Sequence, residues 1–157
     1  MKKTFVVLAL LVLIFSLFGC VSETTPQNTF KDDFTIGTIV EENAEYLLPE
    51  SRELFSSEYG AVDEPFTQKQ EELAFQINPE DISAFVAAIQ SGTEKSIIDS
   101  GASIVGRGSG GVTGTSFSVQ YRKDQTYGVI NVWGVRGEGT DFFLIVLVTE
   151  SMSSSSS

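Results

Sequence analysis

Residues 116–150 read SFSVQYRKDQTYGVINVWGVRGEGTDFFLIVLVTE, and they decide the fold. Phe117, Val119 and Tyr121 alternate with polar residues, the period of a strand with one buried face. Residues 126–135 and 141–150 are longer and more continuously apolar. The short turns Asp124-Gln125 and Glu138-Gly139 separate the three segments, which suits consecutive antiparallel hairpins. Two-residue turns predict the pairs Tyr121 with Gly128, Val119 with Ile130, and Phe117 with Val132. They then predict Val132 with Ile145 and Ile130 with Leu147.

That register sorts the side chains into two faces. One holds Phe117, Val119, Tyr121, Ile130, Val132, Phe143, Ile145 and Leu147, with Gly128 and Gly134 leaving room for a helix backbone. The other holds Tyr127, Val129, Asn131, Trp133 and Val135 beside Phe142, Leu144, Val146 and Val148. A wet sheet face should be polar, so this second face calls for a cover. The chain's own N-terminal half, including a helix at 49–57, is the first candidate. A second copy, a partner protein and an apolar ligand are the others. A one-residue change in either turn would exchange the faces.

Outward from this region, residues 101–106 read as a weaker strand. Residues 79–90 are the best helix: Ile82, Phe85, Val86 and Ile89 recur at helical spacing. Asn78 stands as cap, Pro79 in the first turn, and Gly92 where a left-handed stop belongs. A second short helix is expected at 94–99. Residues 58–71 read as an acidic loop and 72–77 as a short strand. The expected fold class is α+β: an antiparallel meander of four or five strands with one or two helices packed on it.

The 157 residues suit one domain. Twelve Phe and many aliphatic residues can build its core. The chain has no His and a single Cys, which excludes a His-based triad, a His or thiolate metal site and an internal disulfide. With 10 basic and 21 acidic residues the net charge is -11, so nucleic acid is not an expected partner. Residues 21–81 carry 15 acids against Lys31, Arg52 and Lys69. An anionic bilayer would therefore hold the N-terminal half off its surface.

The first twenty residues read as an address. Lys2 and Lys3 precede the apolar run 5–18, which spans about 21 Å as a helix against the roughly 30 Å hydrocarbon core. A signal-peptide core fits this length better than a membrane span. The run ends in Leu17-Phe18-Gly19-Cys20, with the chain's only Cys directly after a small residue. This resembles the lipobox of prokaryotic membrane lipoprotein precursors, with a bulky Phe18 at the variable position. The resemblance covers the processing signal alone. It implies cleavage before Cys20, a diacylglyceryl group on the Cys20 sulfur, and an extracytoplasmic protein anchored to the cell membrane. With Val21 next and no Asp there, the resemblance points away from inner-membrane retention in a two-membrane host, which leaves the outer membrane open as a destination. The resulting organisation is a signal peptide at 1–19, a lipidated Cys and tether at 20–33, one α+β domain at 34–150, and a disordered Ser-rich tail at 151–157.

Motifs for chemistry are sparse. Gly106-Arg107-Gly108-Ser109-Gly110-Gly111 matches G-x-G-x-x-G, but no helical pattern follows it, as a dinucleotide site requires. It reads as a hairpin connection. No cofactor and no metal is expected. The adjacent carboxylates Glu41-Glu42, Asp63-Glu64 and Glu71-Glu72 leave a small two-carboxylate hydrolase as one functional reading. The leading reading is a non-catalytic, lipid-anchored module of the cell envelope that binds a protein or small ligand or serves an assembly, with a protein partner or self-association as its expected contacts. Tyr127, Asn131 and Trp133 on the second sheet face are its candidate binding residues. A purely structural lipoprotein is the third reading.

Overall fold

The alternation at 117–121 and the tight turn after it give the hairpin that the sequence predicts. Phe117 faces Val132, Val119 faces Ile130 and Tyr121 faces Gly128. Asp124 takes a positive φ of 53° in the two-residue turn, as such hairpins require. A computed structural model describes residues 29–49, 51, 56–62, 66–110 and 115–152. The lipobox residues Leu17, Phe18, Gly19 and Cys20 lie outside them, as do 52–55, 111–114 and 153–157 of the tail.

Among the described residues the sheet has six strands rather than four or five: β1 (Ser56–Val62), β2 (Phe66–Gln76), β3 (Ser103–Gly110), β4 (Ser116–Lys123), β5 (Thr126–Arg136) and β6 (Asp141–Met152). Their order is β1-β2-β6-β5-β4-β3, every pair antiparallel. The expected meander is β3 to β6. The β1–β2 hairpin, which occupies most of the segment read as a loop, adds to the far edge of β6. Its pairing runs from Phe66 opposite Ser151 to Gln76 opposite Asp141. The strand signal of β2 is masked because two of its inward positions carry charge: Lys69 and Glu71 are buried beside Leu73 and Phe75.

The second hairpin departs from the expected register by one residue. Ile130 faces Val148 and Val132 faces Val146. The turn takes one residue more than two, because Gly137 donates to the Asp141 carbonyl at 2.8 Å and the chain reverses through Glu138, Gly139 and Thr140. Gly139 supplies the positive φ of 61°. The shift turns β6 over. Phe142, Leu144, Val146 and Val148 enter the core, while Phe143 is 42% exposed and Ile145 and Leu147 point the other way.

Among the described residues three helices cover the inner face: α1 (Phe30–Asp33), α2 (Ile36–Glu42) and α3 (Ile82–Asp99), with a 3-10 turn at Ala44–Tyr46. Helix α3 is one continuous element in place of the two expected. Gly92 lies inside it, against α2, where an added Cβ would meet Ile39 Cγ2 at 2.5 Å. The stop is Gly101, at φ 82°. Gly101 donates to Ile98 and Ala102 to Ile97, the paired bonds of a Schellman end. Ile82, Phe85, Val86, Ile89 and Ile97 meet the sheet together with Phe30, Phe34, Ile36, Ile39 and Val40. The space at Gly128 and Gly134 is filled by rings of the sheet itself, Tyr121 and Phe142, rather than by a helix backbone.

Three further expectations change. Ser56 and Ser57 belong to β1, so the helix read at 49–57 does not extend over them. Phe30 is buried in α1, so folded structure reaches at least to Thr29 and the tether cannot extend to 33. At the other end β6 continues through Ser151 and Met152. No helix among the described residues is long and apolar enough to cross a membrane.

Candidate binding face

The described N-terminal segment packs on the inner face, beside α3. The outer face of the sheet is left open by the described residues. Strand β5 places Tyr127, Val129, Asn131, Trp133 and Val135 on it; Trp133 and Tyr127 are each 40% exposed. Strand β6 contributes Phe143, Ile145 and Leu147 in place of the four residues the sequence register assigned. Trp133 lies between Ser116 and Ile145, Asn131 between Ser118 and Leu147, and Val135 beside Phe143. An apolar patch thus runs from Val135 and Phe143 across Trp133 to Ile145.

A shallow groove of about 220 Å³ opens beside Trp133, lined also by Asn131, Ser116, Ser118, Gly108 and Gly110. Two of the three sequence candidates, Asn131 and Trp133, meet here. Tyr127 sits elsewhere, opposite Arg122 and Ser151. The sequence reading missed the groove floor. Residues 106–110 are strand rather than hairpin connection, with Gly106, Gly108 and Gly110 opposite Gln120, Ser118 and Ser116. Their period of two was the available signal. These glycines admit β4 side chains: a Cβ on Gly108 would lie 2.6 Å from Ser118 Oγ. Trp133, named from the sequence as a candidate binding residue, stands at the surface of the outer face.

A second cleft of about 260 Å³ lies between α2 and α3, lined by Asp33, Thr35, Thr38, Glu42, Lys95 and Asp99 among others. Lys95 pairs with Asp99 within it. Arg107 on β3 reaches back to α3 and binds Glu94 through two bonds of 2.9 and 2.8 Å. The guanidinium holds the Glu94 carboxyl below the usual carboxylate range.

The buried charges act on the backbone. Glu71 Oε1 is 2.6 Å from Lys69 Nζ, and Lys69 donates to the Phe34 carbonyl. Glu150 Oε1 accepts the Tyr121 hydroxyl at 2.6 Å and the Lys31 N–H at 3.0 Å. Burial, and then this bond to Glu150, push the Tyr121 phenol far above its ordinary value. Of the adjacent carboxylates, Glu71 and Glu72 point to opposite faces of β2, the first buried and the second exposed. Glu41 and Glu42 end α2, and Asp63-Glu64 lies outside the described residues. Among the described residues no group of three acidic or thiol side chains is placed to hold a metal ion. Comparison with protein-family models, curated proteins and solved structures gave no match.

Proposed function

We propose that the chain is a lipid-anchored, extracytoplasmic envelope protein that works as a non-catalytic binding or assembly module through its outer sheet face. One observation carries the binding role. Trp133, Val135 and Phe143 stand 40, 46 and 42% exposed on a contiguous patch, while the chain's own helices occupy the opposite face. Burying one large apolar side chain is worth roughly 1.5–3 kcal/mol, so a patch of this kind favours a partner. The anchor rests on the sequence 17–20 and on the charge-poor, apolar run before it. Two acyl chains hold stably where one does not, at about 0.8 kcal/mol per buried CH₂.

The test is a pair of variants. Trp133→Asp should keep the wild-type circular dichroism, because the side chain is not core, and should sediment as a lone chain under conditions where the native chain is expected to sediment with a partner or a second copy. A folded variant with unchanged association removes this face from the account. Cys20→Ser should release the protein from membranes. A variant that still fractionates with membranes contradicts the anchor.

The hydrolase reading has less support. Both deeply buried carboxylates, Glu71 and Glu150, accept backbone N–H groups, and neither lines the two clefts described.

A further inference from the structure

We infer that the groove beside Trp133 binds a neutral saccharide, one ring of an uncharged glycan laid across the outer face. This rests on the reading of that face as the binding surface and names its ligand class.

The chain carries a net charge of -11, yet every described residue lining this groove is uncharged: Gly108, Ser109, Gly110, Ser116, Phe117, Ser118, Asn131 and Trp133. A phosphorylated, sulfated or uronic ligand would find no counter-charge there and would meet an anionic protein. A cationic peptide would find no carboxylate within the groove. Electrostatic complementarity selects an uncharged ligand.

Ser116, Ser118 and Asn131 offer two hydroxyls and an amide, which can each donate and accept. Ser116 already donates to the Gly110 carbonyl, which leaves its oxygen as an acceptor. Paired donors and acceptors without charge match the hydroxyls of a sugar. The wall is an indole, 40% exposed, and the C–H face of a pyranose is apolar enough to stack on it while the indole edge stays polar.

Size and shape agree. About 220 Å³ falls below the roughly 300–1,000 Å³ of pockets that enclose a drug-sized ligand. It suits one ring of a longer chain. The glycine positions continue past the groove to Gly106, beside Gln120, so a further ring would meet another side-chain amide.

Trp133 is the only tryptophan of the chain, so its emission reports the site directly. The full chain in a zwitterionic detergent is titrated with maltohexaose, cellohexaose and chitohexaose, with polygalacturonate as the charged control. The expected result is a saturable emission change with at least one neutral oligomer and none with polygalacturonate. Asn131→Ala, folded by circular dichroism, should weaken it about tenfold. No saturable change with any neutral oligomer overturns the inference. So does an equal response to polygalacturonate, an unaltered titration in Asn131→Ala, or a change that tracks protein concentration without sugar, which would indicate a second copy. If the sugars fail while Trp133→Asp still abolishes association, the ligand class falls and the binding face stands. If both fail, the face itself falls.

Discussion

Glu71 Oε2 accepts the backbone N–H of Ile36 at 3.0 Å. A strand carboxylate thereby serves the first turn of α2, whose own Thr35 makes no side-chain cap. Lys69 holds the Phe34 carbonyl and Glu150 holds the Lys31 N–H. Three charged side chains of β2 and β6 thus bind the backbone of residues 31–36. In the proposed anchored protein, this clasp fastens the domain to the segment leading from the lipid.

The clasp is expected to be costly to break from one side. Glu71→Leu removes the 2.6 Å ion-pair partner of buried Lys69 and should destabilise by about 3–5 kcal/mol. The double variant Lys69→Met, Glu71→Leu removes both charges and should recover much of that loss. Urea unfolding of the three proteins measures it. A single variant as stable as the wild type would show that the buried pair contributes nothing.

Tyr121 sets the alkaline limit. Its phenol is buried against Glu150 and its pKa lies far above the ordinary 10.0. Above that ordinary value the unfolded chain releases a proton that the folded chain keeps, so stability falls as pH rises. The contribution is complete below pH 10 and is lost above it. Tyr121→Phe should flatten this decline while costing about 1–3 kcal/mol at neutral pH, since Glu150 loses a hydrogen-bond donor. Thermal unfolding between neutral and alkaline pH checks both effects. Identical slopes for the two proteins would contradict the assignment.

Gly92 is a packing glycine. Gly→Ala in an exposed helix interior gains about 1 kcal/mol. Here the new Cβ would lie 2.5 Å from Ile39 Cγ2, a branched and stiff side chain. Overpacking of this kind costs about 1–3 kcal/mol, so Gly92→Ala should destabilise. Adding Ile39→Ala should make the pair less damaging than the sum of the singles. A stabilised Gly92→Ala would mean that the two helices sit farther apart than described.

How far the sequence could be read varied with the kind of signal. The 116–136 hairpin was legible to the residue, because a two-residue turn and a clean alternation fix one register. The next hairpin was not, since Glu138-Gly139-Thr140 offers turns of two or three residues and β6 is apolar on both faces. That single ambiguity moved Phe143 to the surface and Phe142 into the core. Strand β2 was hidden by Lys69 and Glu71, which break the apolar alternation because they satisfy each other inside. Gly92 and Gly101 are alike in sequence, and only the neighbour Ile39 shows which one packs and which one stops the helix. For the candidate site, Asn131 and Trp133 were legible as outward residues of β5. The glycine floor was not, because the period of two at Gly106, Gly108 and Gly110 is carried by glycines, which equally suit a hairpin connection.

In the anchored, extracytoplasmic domain proposed above, the helical side faces solvent while the outer sheet face is engaged. Labelling of single thiols by a membrane-impermeant maleimide tests it most directly, with the new thiol placed at Ser91→Cys on α3 or at Phe143→Cys on the outer face. Both are expected to label in the purified protein, Ser91→Cys to label on intact cells as well, and Phe143→Cys to be protected there. Equal labelling of the two positions on intact cells would contradict an engaged face, and no labelling of Ser91→Cys on cells would contradict the location.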